Sequence, residues 1–200
     1  MKFNKLAFSV VASSMLVGMM GMGVNAQTVS KHVSALAVEY PTVLLLTVYH
    51  GPQNGVMHNP NFTPAYFSAP ANSRVELIIH NYDDGPSPVM GDNYKVKGTV
   101  GGYEIAEGKK VTALDKNNVA HTLTIPSLNL NIPIPPKLTN EPYSTVTAYF
   151  NTGKAGTYKW DCLAACGTGT GGWAGVMSPA LGQGWMYGTF TVYNLKNYQK

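Results

Sequence analysis

The hydrophobic pattern along most of this chain has a period of two. The segments "TVLLLTVYH" (42–50), "RVELIIHN" (74–81), "KKVTALD" (109–115), "AHTLTIP" (120–126), "STVTAYF" (144–150), "GTYKWDC" (156–162) and "YGTFTVYNL" (187–195) are short and rich in β-branched and aromatic residues. Gly, Pro, Asn and Asp separate them, as expected of strands that bury one face. No long amphipathic helix pattern occurs beyond the first 26 residues. Several such strands with turn signals between them predict an all-β sandwich or barrel, and 21 glycines and 13 prolines supply the connections. Residues 51–73 contain four prolines and four asparagines and read as a long surface loop. Residues 83–103 read as an insertion or a weak hairpin. There is no repeat and no low-complexity linker, so 27–200 is expected to be one domain.

The N-terminus changes the picture. "MKFNKLAFSVVASSMLVGMMGMGVNAQT" runs from two lysines through an apolar stretch to the small-x-small pattern Val24-Asn25-Ala26, which predicts a signal peptide over 1–26. A retained anchor needs about 20 apolar residues and a basic far flank, and this core is shorter. No later segment is long and apolar enough to span a bilayer, so the expectation is a soluble periplasmic or secreted protein. Charged residues make up 12%, and the net charge of +4 falls to about +2 without Lys2 and Lys5. That charge is too small and too scattered to argue for a nucleic-acid partner. No Ser-His-Asp order, paired carboxylates or His-Glu-x-x-His is present, so the residues do not point to an enzyme. The two cysteines, in an oxidising compartment, allow one disulfide or one metal site, and both readings stay open.

The chemistry gathers in two places. "NNVAHTLTIPSLNLNIPIPP" puts His121 at the head of a strand followed by a Pro-Ser-Leu turn, and "GKAGTYKWDCLAACG" brings a strand to Cys162 with Cys166 four residues on. "GWMYGTFTV" then places Met186 just before the last strand. This arrangement resembles the cupredoxins, the blue copper β-sandwich proteins. Among them it is similar to the copper-bearing domain of cytochrome c oxidase subunit II and to sulfocyanin-like proteins. The likeness covers about 109–195 well and 40–82 only in general pattern.

The resemblance implies a Greek-key cupredoxin-like β-sandwich that binds copper and exchanges electrons with a redox partner such as a cytochrome or terminal oxidase. It makes His121 the early histidine, Cys162 the thiolate, Met186 the axial thioether in preference to Met177, and Cys166 the second thiolate of a dinuclear site. The family's second histidine falls near Gln183, so an expected imidazole is missing. The loop from Cys166 to Met186 is also longer than in typical members. A His-Cys-Met set is softer than the usual two imidazoles and thiolate, and favours Cu(I). Copper storage or delivery, and a metal-free interaction module with a Cys162–Cys166 disulfide, are therefore kept as alternatives to electron transfer.

Other residues carry weaker signals. His50 and His58 flank Met57 and form a candidate surface copper site. His80 alternates with isoleucines as a strand histidine, and is also the best replacement imidazole if the fold brings it near. Asp83 and Asp84 read as turn formers. "GTGTGG" (167–172) lacks the Lys-Ser/Thr of a phosphate loop and reads as a cap over the site.

Overall fold

The computed structural model describes residues 41–53, 56–87, 89, 91–165 and 186–195, with side chains outside 50–60. All of them fall in one compact unit of the chain, which begins at Glu39. The signal peptide expected over 1–26 lies outside the described residues.

Among the described residues, eleven strands form two sheets. They are β1 (Thr42–Gln53), β2 (Val56–Thr63), β3 (Tyr66–Pro70), β4 (Arg74–Asn81), β5 (Glu104–Ala106), β6 (Lys109–Val111), β7 (His121–Ile125), β8 (Leu130–Ile134), β9 (Ser144–Asn151), β10 (Gly156–Asp161) and β11 (Tyr187–Tyr193). One sheet runs β2-β1-β4-β9-β5-β6 and the other β3-β11-β10-β7-β8. Each is mixed, with one parallel pair, β1 with β4 and β11 with β3. A 3₁₀ turn (Pro126–Leu128) joins β7 to β8. The all-β sandwich of two sheets expected from the sequence is therefore present.

The period of two explains the core. On β4 the inward residues Val75, Leu77 and Ile79 are fully buried, and on β9 Val146, Ala148 and Phe150 face the same interior. The second sheet answers with Leu123, Ile132, Trp160 and Phe190. Strand β7 departs from alternation, because all five of its residues are buried. His121, Leu123 and Ile125 alternate with Thr122 and Thr124, and the two threonines are buried as well. The 82–97 excursion lies alongside them, bridging Ser87 to Val119, Val89 to Ala164 and Lys97 to Asn131. What reads as an insertion is the outer cover of the β7–β8 edge.

Two expectations are corrected. Residues 51–73 are not a long loop, since β2 and β3 occupy most of that range. Both are edge strands, and an edge tolerates the prolines that the sequence places there, because an outward-facing residue need not donate to a ladder. Of the strand expected over 109–115 only 109–111 is β6, while 112–114 pair instead with 94–96 through a bridge from Ala113 to Lys95. Strand β6 is preceded by β5 and a tight turn in which Glu107 (φ 49°) and Gly108 (φ 72°) are both left-handed. That geometry suits a two-residue hairpin.

Candidate metal centre

His121 is the first residue of β7 and is completely buried. Cys162 follows the last residue of β10, is completely buried and carries a free thiol. The His121 Nδ1 lies 4.0 Å from the Cys162 Sγ. Met186, also completely buried, precedes β11, and its carbonyl accepts the Cys162 N–H at 3.0 Å. This bond extends the β10–β11 register, whose last pair is Asp161 with Tyr187, so Met186 is the direct cross-strand neighbour of Cys162. Directly opposed residues in an antiparallel pair project to the same face.

Thr122 ties the thiol to its surroundings. Its N–H points at the Cys162 Sγ at 3.4 Å. The Leu163 N–H donates to the Thr122 Oγ1 at 2.8 Å, fixing the turn just after the cysteine. Thr122 Oγ1 is 3.0 Å from Thr124 Oγ1, which donates to the Asn131 Oδ1 at 2.6 Å, and the Asn131 amide is bound to the carbonyls of Asn93 and Lys95. Each hydroxyl in this buried chain has a partner on both sides, which makes the arrangement rigid.

The other ring nitrogen of His121, Nε2, is 2.9 Å from the Asp83 Oδ2. Asp83 does form the turn expected from the sequence, its Oδ1 accepting the Gly85 N–H at 3.0 Å. Its contact with the imidazole is what sequence reasoning missed. The one hint was an Asp-Asp-Gly turn directly after an inward-facing strand end. Asp84 is exposed and pairs with Lys137 at 3.6 Å.

The imidazole and thiol suit one soft transition metal ion. A metal–imidazole and a metal–thiolate bond together span about 4.3 Å for a first-row ion such as zinc, so both donors reach one ion across 4.0 Å without movement. One imidazole, one thiolate and one thioether is the soft combination that selects copper. No three His, Cys, Asp or Glu side chains converge as a metal site among the described residues, and the residue paired with Cys162 is the buried Met186.

Other expected residues lie elsewhere. His80 is outside the site, because on β4 it alternates with the inward Ile79 and Asn81 and stacks on Tyr143 at 4.3 Å. Cys166, Gln183, Met177 and the "GTGTGG" segment lie outside the described residues. On the β1–β2 hairpin the backbone sets His58 opposite Gly51 and Met57 opposite Pro52, and the side chains of His50, Met57 and His58 are not among those described.

No family model matches the chain and no curated protein sequence does. Among solved structures, it is similar to rusticyanin from Thiobacillus ferrooxidans at 12% identity, covering 85% of this chain and 95% of that one with a TM-score of 0.34. It is also similar to a structure of the copper protein rusticyanin at 14% identity, covering 77% and 80% with a TM-score of 0.33. Substituted rusticyanin gives 12% identity, 84% and 93% coverage, and a TM-score of 0.37.

Proposed function

We infer that this chain is an exported copper protein of the cupredoxin type, and that it carries electrons. The observation that carries the reading is the buried pairing of His121 Nδ1 with Cys162 Sγ at 4.0 Å, closed on the third side by Met186. Copper held there would cycle between Cu(I) and Cu(II). The contribution of this chain is to keep the donors still while that happens: His121 is set on a strand covered on both faces, and Cys162 and Met186 on two strands hydrogen-bonded to each other. Cys166 and Gln183 are the proposed sources of a further donor. A cytochrome or terminal oxidase in the periplasm or outside the cell is the proposed partner class.

A second reading, copper storage or delivery without redox turnover, is favoured by the donor set itself, because a single imidazole beside sulfur donors prefers Cu(I). One experiment separates the readings. The reduced protein is loaded with Cu(II) and followed by absorption and electron paramagnetic resonance, with Cys162→Ser alongside. Electron transfer predicts an intense thiolate-to-copper band that vanishes in Cys162→Ser. Storage predicts tight Cu(I) binding without stable colour. A Cys162–Cys166 disulfide with no copper uptake overturns both and leaves a metal-free module.

A further inference from the structure

We propose that Asp83 is a positioning residue for the metal centre: its carboxylate holds the proton of His121 on Nε2 and thereby presents a bare Nδ1 to the ion. The proposal rests on the copper reading of the site for its consequence, and on geometry alone for its first half.

A neutral imidazole has one N–H and one lone pair, and a carboxylate can only accept. With Asp83 Oδ2 2.9 Å from Nε2, the favourable tautomer carries its hydrogen there and turns the Nδ1 lone pair toward Cys162. The reverse tautomer would set an N–H against the thiol and leave two acceptors facing each other across 2.9 Å. Imidazole ligands are commonly held through their second nitrogen in this way, with consequences for ring orientation and basicity.

The backbone of Asp83 is pinned on both sides, which fixes the point from which its carboxylate reaches, and the carboxylate accepts the Gly85 N–H as well. The Asp83 N–H donates to the Asn81 Oδ1 at 3.1 Å, and the Asn81 amide donates to the Asp83 carbonyl and to the Pro135 carbonyl, each at 3.0 Å. The Lys137 N–H donates to that same Asp83 carbonyl at 2.9 Å, and the Ser144 hydroxyl to the Pro135 carbonyl at 2.7 Å. Asn81 and Ser144 are fully buried and form the last pair of the β4–β9 register. The end of β4, the start of β9 and the segment after β8 thus converge on one aspartate, only 7% exposed, whose Oδ2 meets the histidine. An anion fixed behind the ring also stabilises the more positive oxidation state of an ion on its far side. Asp83 therefore counteracts the preference for Cu(I) that the sulfur donors impose.

The test uses the full mature chain as parent, Asp83→Asn and Asp83→Ala, each checked for folding by melting. In the metal-free proteins, long-range ¹H–¹⁵N correlation of the histidine rings reads the tautomer. The parent is expected to show a single Nε2–H form at His121, and Asp83→Ala a mixture. Copper titration of the same proteins is expected to show Cu(II) affinity falling on the order of 10–100-fold in Asp83→Ala, less in Asp83→Asn, which keeps an acceptor, with the potential shifting upward in both. An Nδ1–H tautomer in the parent, or an Asp83→Ala protein with the tautomer and affinity of the parent, overturns the assignment. A parent that binds no copper overturns the proposed function instead, and the ring tautomer then decides the role of Asp83 alone. Should Asp83→Ala not fold, the tautomer of the parent and the potential of Asp83→Asn decide it, an Nδ1–H parent or an unshifted potential overturning the assignment.

Discussion

Cys162 and Met186 are cross-strand partners, joined by the Cys162 N–H to Met186 carbonyl bond at 3.0 Å one step beyond the Asp161–Tyr187 pair. The pairing depends on Gly188. A Cβ there would run into the Ala65 carbonyl and lie 2.6 Å from the Trp160 indole nitrogen, which itself donates to Ala65 at 2.9 Å. Gly188→Ala is expected to cost ~1–3 kcal/mol by overpacking and to displace the start of β11. A melting curve together with the copper band of the loaded protein checks both effects, and an unchanged band would show that Met186 is held independently of Gly188.

Thr122→Val keeps the size of the side chain but removes the acceptor for the Leu163 N–H and the partner of Thr124. The Leu163 N–H then lacks its acceptor and Thr124 keeps only Asn131, a loss of about 1–3 kcal/mol. Thr122→Ser should restore most of the loss. Denaturant unfolding of the three proteins measures it.

His121→Ala is expected to weaken copper binding far more than His80→Ala, since His80 stacks on Tyr143 outside the site. Calorimetric titration decides the matter, and equal losses would mean that copper adsorbs to the surface.

Gln183→His supplies the imidazole that the cupredoxin pattern expects. If residue 183 reaches the ion, the variant should bind Cu(II) more tightly and show a stronger or shifted thiolate band once Cys162 is reduced. Identical spectra for parent and variant would sink the alignment of residue 183 with the missing ligand.

Glu104 gives the fold a pH dependence. It is fully buried on β5, and neither of its carboxylate oxygens has a partner among the described residues. Burial pushes its carboxyl well above the ordinary value of 4.5. Folding therefore favours the protonated form. The associated stability is fully present below about 4.5 and is lost as pH rises through the elevated folded-state value, at up to about 1.4 kcal/mol per unit of elevation. Melting temperature should fall with rising pH across that window in the parent and stay flatter in Glu104→Gln. Parallel profiles would remove Glu104 as the source.

The strands legible in the sequence were those with one face in the core and one in water. β4 and β9 alternate from end to end, and their limits follow the pattern closely. β8 was hidden because "LNIPI", although Leu130, Ile132 and Ile134 alternate, carries Pro133 within a run of prolines that reads as a loop. β2 and β3 were hidden because edge strands accept the very residues that announce loops. At the centre, His121, Cys162 and Met186 were legible as residue types at strand ends. Asp83 was not, because its role comes from a contact 38 residues away in sequence, and an Asp-Asp-Gly turn looks the same whether or not a histidine waits beneath it.

The two ends of the segment between Cys162 and Met186 leave the sandwich one hydrogen bond apart. Closing a chain between fixed points costs only about 0.6 kcal/mol more for each doubling of its length, so the stems place little demand on what joins them. What joins them is thus expected to be exchangeable. Transplanting a shorter stretch with a different complement of donors would alter which ligands could complete a centre there, while Cys162 and Met186 stay paired. On this scaffold, ligand identity and architectural stability are separable traits, and selection can act on the first without endangering the second.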